Sequence, residues 1–309
     1  MTCDLARRQF LRAAGVGVLA GVGTQFLPVH ETEAYQKSNK SLSRMPRLLP
    51  GCCAYAYRRE FLSGKMSLEN LIEKAVEMQL AAIDITVYYL KSTDPRYLSS
   101  LRHLAYKNGV AFSGAACGVS MVQADRAKRA ESLNQIKHWI DVTNQLGASH
   151  LRVFAGEVPQ GHTLSEATTW VVETMRAATE YSGKRGITLG IEDHGGVSQS
   201  ADVCLEIMHR VKSEYAGINL DITHFLPTTA EDAYSQIAAC IPFATNTHIR
   251  SCFDDGSPID MNRVWKMFAD AGFRGYMSYE GDELNKPGFV PEPIREIKRL
   301  CREYSLMEP

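Results

Sequence analysis

The chain has 309 residues, 45% of them hydrophobic and 22% charged, with a formal net charge of −1. This is enough apolar material for a sizeable buried core, in one large domain or two small ones. No basic stripe or acidic tail is present, which argues against nucleic acid as a partner.

The first residues differ from the rest. "ARRQFLRAAGVGVLAGVG" carries Arg7, Arg8 and Arg12 ahead of an apolar stretch from Ala13 to Gly23. That stretch is shorter than the roughly 20 apolar residues a spanning helix needs. A basic region, an apolar region and a small-residue exit form the layout of an export signal. The paired arginines before Phe10 and Leu11 resemble the twin-arginine signal, which is read as an address. "TEA" at 32–34 offers a cleavage site. The expected organisation is an export signal over 1–34, a polar linker over 35–45 and a folded domain over 46–309. The mature protein is expected in the periplasm or outside the cell, with no stable membrane association once the signal is removed. Of eight cysteines none forms a C-x-x-C pair, so a zinc-finger or thioredoxin-type reading fails. Buried thiols acting as small hydrophobes are expected, with disulfides left open.

From residue 46 onward short apolar runs alternate with amphipathic stretches. The runs fall at 47–57, 81–89, 110–117, 149–156, 186–193, 217–224, 243–251 and 275–281. Helical spacing appears at 67–79, 95–108, 129–147, 165–183, 200–213, 231–240, 260–272 and 291–306. Eight alternations predict an α/β chain with a parallel sheet, and the count predicts a closed (β/α)8 TIM barrel. An open doubly wound sheet would show a Gly-rich phosphate turn after the first strand, and "PGCCAY" is not one.

Such barrels carry their chemistry at the C-terminal ends of the strands. Strand parity then selects the inward residues. "GITLGIED" places Glu192 inward, "GINLDITH" Asp221, "FATNTHIRS" His248 and "GYMSYEG" Glu280. The intervals are 29, 27 and 32 residues, each one β/α step. Three carboxylates and an imidazole would therefore converge, an arrangement costly to bury without a counter-charge. One divalent cation resolves this. The oxygen-rich set suits Mn²⁺ best, with Mg²⁺, Co²⁺ or Zn²⁺ as alternatives. Asp193 has outward parity and reads as capping or solvated. His224 and His194 overhang the mouth and suit contact with substrate hydroxyls. Arg250 suits a substrate oxygen or an ion pair with Asp254 or Asp255. Arg152 and Glu157 border the same mouth. Tyr55, Tyr57, Tyr88 and Tyr89 form an aromatic rim suited to sugar rings, with Tyr57 taken as a substrate contact.

"GIEDHGG", "NLDITH", "THIRS" and "YMSYEG" resemble the xylose isomerase-like superfamily of sugar isomerases and epimerases, over about residues 47–306. The resemblance implies a metal site at Glu192, Asp221, His248 and Glu280, and a substrate-contacting histidine at His224. It implies Glu192 and Glu280 as an acid/base pair that forms and quenches a cis-enediolate. It also implies a small carbohydrate substrate and homo-oligomerisation. Export favours a non-phosphorylated sugar. Metal-dependent β-elimination from keto-sugars or 3-keto-glycosides is the alternative activity, and a non-catalytic sugar-binding barrel the second. The family's trinuclear phosphodiesterases need histidines on early strands that "TVYY" and "GAACG" lack.

Overall fold

The computed structural model describes residues 45–225, 229–253, 255–281 and 290–305. The expected export signal and nearly all of the linker lie outside the described residues. The elements run β1 (Arg47–Cys53), α1 (Arg58–Leu62), α2 (Leu68–Glu77), β2 (Ala82–Thr86), α3 (Pro95–Lys107), β3 (Ala111–Ser120) and α4 (Arg126–Leu146). They continue β4 (His150–Phe154), α5 (Leu164–Gly183), β5 (Thr188–Glu192), α6 (Ala201–Val211), β6 (Ala216–Asp221) and α7 (Ala230–Cys240). β7 (Ala244–Ile249), α8 (Met261–Asp270), β8 (Arg274–Tyr279) and α9 (Pro291–Ser305) complete the order. The strands close in sequence as β1-β2-β3-β4-β5-β6-β7-β8. Every strand pairs in parallel, and β8 returns to β1 with Arg274 opposite Arg47. This is the (β/α)8 barrel that the alternation predicts.

Local chemistry sets the boundaries. Ser67 and Asn70 form a capping box at the start of α2, and Thr163 and Glu166 do the same for α5. Asp94 caps α3, with Pro95 at its first position. α4 ends at Gly147, whose φ of 78° suits a residue without a Cβ. The first strand is shorter than its apolar run. The chain leaves β1 at Cys53 and winds into a 3-10 turn over Ala54–Tyr57.

The core lies between barrel and helices. Ile83 and Ile85, Leu151 and Val153, Leu189 and Ile191, Ile218 and Leu220 are all fully buried there. Leu68, Leu71, Ile72 and Ala75 of α2 pack onto the same layer. Each such side chain contributes roughly 1.5–3 kcal/mol by leaving water. Seven cysteines are described, all as free thiols and all but Cys252 buried. No described helix is long and apolar enough to cross a membrane.

The opposite strand parity fills the barrel's interior with polar groups. His150 of β4 is buried, and its ring occupies space left by two glycines. A Cβ on Gly114 would lie 3.0 Å from His150 Nδ1, and one on Gly190 would lie 2.5 Å from Nε2. Nε2 meets the Thr245 hydroxyl at 3.1 Å. Gly190→Ala is therefore expected to destabilise the fold by about 1–3 kcal/mol through overpacking. The shift of the urea midpoint measures it, and the same change should cost less in a His150→Ala background.

Burial also pushes the His150 imidazole down to about 4, a shift that the Asp84 carboxylate only partly offsets. The unfolded chain then takes up a proton near pH 6.5 that the folded barrel refuses until about pH 4. Stability from this group is complete above pH 6.5 and is lost as pH falls towards 4, by ~3 kcal/mol at one pKa unit per 1.36 kcal/mol. His150→Gln is expected to flatten that part of the stability profile, read from denaturation midpoints between pH 4 and 7.

Candidate metal centre at the strand ends

Glu192 ends β5, Asp221 ends β6, His248 is the fifth residue of β7, and Glu280 follows β8 directly. The four converge at one end of the barrel: parallel register sets Asp221 opposite His248 and Glu192 opposite Asn219, with Glu280 two residues beyond Ser278, the partner of His248. Relative exposures are 2% for Glu192, 0% for Asp221, 0% for His248 and 5% for Glu280. Their donor atoms all lie within 4.8 Å of one another. His248 Nδ1 is 2.8 Å from Glu192 Oε1 and 3.2 Å from Glu280 Oε2. Adjacent ligands of an octahedral ion with ~2.1 Å bonds lie ~3 Å apart, so these gaps are of the right size.

Asp221 is held in one orientation. Its Oδ1 accepts from Thr223 N at 2.9 Å and from the Thr223 hydroxyl at 2.6 Å. Its Oδ2, fully buried, has no hydrogen-bond partner and faces His224 Nδ1 at 3.4 Å. Asp193 secures the same strand end: its Oδ1 accepts from Asp221 N at 2.8 Å. Asp193 is thus fully buried, contrary to the solvated or capping role expected from parity. Outward parity in a closed barrel faces the helix layer and not water. Burial, reinforced by the Asp221 charge, pushes the Asp193 carboxyl well up.

Beneath the cluster is a polar floor that the sequence reading missed. Asp84 Oδ2 accepts from Asn246 Nδ2 at 2.6 Å and lies 3.7 Å from His248 Nε2. Asn246 Nδ2 also donates to Asn219 Oδ1 at 3.1 Å. Burial alone would raise the Asp84 carboxyl, but the His248 contact, followed by the charge of Arg152, holds it below its ordinary value. The available signal was a lone inward aspartate in the apolar run "AAIDITVYY". Cys53 Sγ lies 3.6 Å from Glu280 Oε1, and burial followed by the Glu280 charge pushes its thiol up to about 11.

Two arginines flank the carboxylates. Arg152 Nε is 3.7 Å from Glu192 Oε2, and its Nη1 donates to Cys117 O at 3.1 Å. Burial opposes ionisation of Glu192, yet Arg152 and then His248 hold its carboxyl well below the usual range. Arg250 Nε is 3.3 Å from Asp221 Oδ2, and Nη2 is 3.6 Å from Glu280 Oε2. Arg250 Nη2 also donates to His224 Nε2 at 2.9 Å. A guanidinium cannot accept, so a neutral His224 carries its proton on Nδ1. That nitrogen meets His194 Nδ1 at 3.1 Å.

His194, His224 and Arg250 thus join the cluster at its mouth. Tyr57 does not. It is buried in the turn after β1, its hydroxyl 3.7 Å from Met78 Sδ. Glu157 is exposed. Tyr88 instead holds an exposed place at the rim, with 55% of its surface accessible.

The donor set fits a divalent cation. Three buried carboxylates and an imidazole converge, the buried Oδ2 of Asp221 accepts no hydrogen bond, and two guanidiniums alone leave the carboxylates under-compensated.

A comparison with curated proteins gave no match. Among solved structures, D-psicose 3-epimerase from Clostridium cellulolyticum H10 superposes with a TM-score of 0.66 at 14% identity, covering 84% of this chain and 96% of the epimerase. The 3-keto-D-glucoside 4-epimerase YcjR of E. coli gives 0.65 at 12% identity, covering 84% and 99%. The IOLI protein, solved with a bound zinc atom, gives 0.65 at 15% identity, covering 84% and 98%. These likenesses show the fold. At the level of sequence, the family described as xylose isomerase-like TIM barrel matches residues 72–300. With its closed eight-stranded barrel and this match over most of its length, the chain belongs to the xylose isomerase-like TIM barrel family.

Proposed function

We propose that the protein is a divalent-metal-dependent sugar isomerase or epimerase acting on a small, uncharged carbohydrate. The observation that carries this reading is the convergence of Glu192, Asp221, His248 and Glu280 within 4.8 Å at the C-terminal mouth. These four would hold the ion, Mn²⁺ in our reading, with Mg²⁺, Co²⁺ or Zn²⁺ as alternatives. A bound cation supplies positive charge against which a hydroxy-ketone can lose a carbon-bound proton.

The chain's own groups do the rest. Glu192 and Glu280 come from β5 and β8 and meet at His248 Nδ1 from two sides. Arg152 keeps Glu192 ionised, ready to accept a proton from carbon. Glu280, at the other end of the arc, is placed to return a proton from the opposite side. Return to the same carbon inverts it, and return to the neighbouring carbon moves the carbonyl. Arg250, His224 and His194 stand together at the mouth and are the groups we assign to sugar oxygens, which would replace the contact between the two histidines.

Charge accounting supports a neutral substrate. Asp84, Glu192, Asp221 and Glu280 contribute four negative charges. Arg152, Arg250 and a doubly charged ion offset them when His248 is neutral. A phosphate or carboxylate on the substrate would find no surplus positive charge at this cluster. The D-psicose 3-epimerase and the 3-keto-D-glucoside 4-epimerase that share this fold accord with this class. Export by the twin-arginine route, proposed from Arg7, Arg8 and the apolar run after them, would place the enzyme in the periplasm or outside the cell.

The test is incubation of the Mn²⁺-loaded protein with a panel of ketoses and keto-glycosides in D₂O. Deuterium entering a carbon beside the carbonyl, with a stereoisomer or isomer as product, is the expected result. An unsaturated sugar would assign elimination instead. No exchange across the panel would sink the reading and favour a sugar-binding barrel.

A further inference from the structure

The mouth carries more ring surface than the carboxylate cluster uses. Tyr88 sits on the turn Val87–Tyr89 directly after β2 and is half-exposed. Its hydroxyl end lies against Gly118 of β3, where a Cβ would collide with it. Gly118 is itself exposed, so the absent side chain opens room for the Tyr88 ring and fills no core need. Cys117, the residue before Gly118, accepts from Arg152 Nη1 at 3.1 Å, and Arg152 Nε lies 3.7 Å from Glu192 Oε2, so Tyr88 stands one residue along β3 from a contact of the cluster.

From there the aromatic surface continues. The Arg152 guanidinium stacks over Phe154 at 4.2 Å. Phe154 meets the His194 ring at 4.9 Å, and His194 meets His224 edge-on at 4.3 Å. Phe154, His194 and His224 thus form a line of touching rings from β4 to the residues after β6, with His194 and His224 beside the carboxylates. Tyr88, more than half exposed, lies over β3 on the other side of Arg152. Aromatic faces of this kind pair with ring faces while keeping a polar tip in water.

We propose that Tyr88 forms a second subsite and that the substrate is a two-ring glycoside. The reacting sugar lies on the carboxylate cluster, and the glycosidically linked second ring lies on Tyr88. This rests on the carbohydrate reading above and narrows its substrate class.

Equilibrium binding to the full Mn²⁺-loaded chain tests it, with D-glucose, cellobiose and phenyl β-D-glucoside as probes. At least one two-ring probe binds about tenfold tighter than D-glucose, equivalent to ~1.4 kcal/mol. Tyr88→Ala removes that gain and leaves D-glucose binding unchanged, whereas Tyr88→Phe keeps it. A gain with cellobiose alone identifies a sugar as the second ring, and a gain with the phenyl glucoside alone identifies an aromatic aglycone. Equal affinity for all three probes, no binding of any, or equal weakening of all by Tyr88→Ala overturns the subsite. Circular dichroism of Tyr88→Ala guards against misfolding. Deuterium exchange into ketoses is read separately, so failure of the subsite and failure of the carbohydrate reading are told apart.

Discussion

Glu192→Gln is expected to lower solvent-deuterium exchange by about 10³-fold or more, since a positioned general base contributes 10²–10⁴-fold and this residue also ligates the ion. The substitution keeps the shape of the side chain. It removes the charge that Arg152 faces at 3.7 Å and that His248 faces at 2.8 Å. An amide in that place cannot accept a proton from carbon. Glu280→Gln makes the complementary test. If the two carboxylates serve opposite faces of one carbon, this variant exchanges deuterium into only one of the two epimers, and Glu192→Gln spares at most the other. Loss of exchange from both epimers in Glu280→Gln, with the ion still bound, would instead mean that the two groups do not divide the faces. Nuclear magnetic resonance of the recovered sugars, with metal content measured on the same samples, separates the cases.

Asp221→Asn should weaken cation binding by more than roughly a hundredfold, since changes one layer further out already cost 10–100-fold. The local hydrogen bonds dictate which way the amide turns. Oδ1 of Asp221 accepts from the Thr223 amide at 2.9 Å and its hydroxyl at 2.6 Å. An asparagine must keep its oxygen there to avoid two donors facing each other. Its NH₂ then occupies the place of Oδ2, the buried oxygen that accepts no hydrogen bond. An anionic ligand is replaced by a donor aimed at the centre. The thermal midpoint provides a readout independent of activity. Cation at a hundred times its Kd stabilises a folded protein by ~2.7 kcal/mol, so MnCl₂ raises the midpoint of the parent and leaves that of Asp221→Asn nearly unchanged. An equal rise in both would remove Asp221 from the ligand set.

Much of this was legible in the residues because a parallel barrel repeats one unit. Each β/α step contributes one inward group at a strand end, so the intervals between Glu192, Asp221, His248 and Glu280 carried the geometry. Parity worked only while the strand lasted. Tyr57 lies past the end of β1, where the chain winds into a 3-10 turn, and alternation no longer says which way a side chain points. Asp193 shows a second limit, since its outward face met packed helices and water was absent there. Asp84 and His150 show a third. Their meaning comes from Asn246, Thr245 and two glycines on strands across or beside them, a relation that no single segment displays. The arginines divide similarly: Arg250 found Asp221, Glu280 and His224 in the barrel, partners drawn from strands far apart in sequence.

The central claim is that the four strand-end residues hold one divalent cation. Metal analysis of the purified full chain, titrated with Mn²⁺ after chelation and followed by electron paramagnetic resonance, tests it most directly. One tightly bound equivalent per chain, lost in Asp221→Asn and retained in Tyr88→Ala, is the predicted result. No bound equivalent in the parent, or one that persists unchanged in Asp221→Asn, would contradict it.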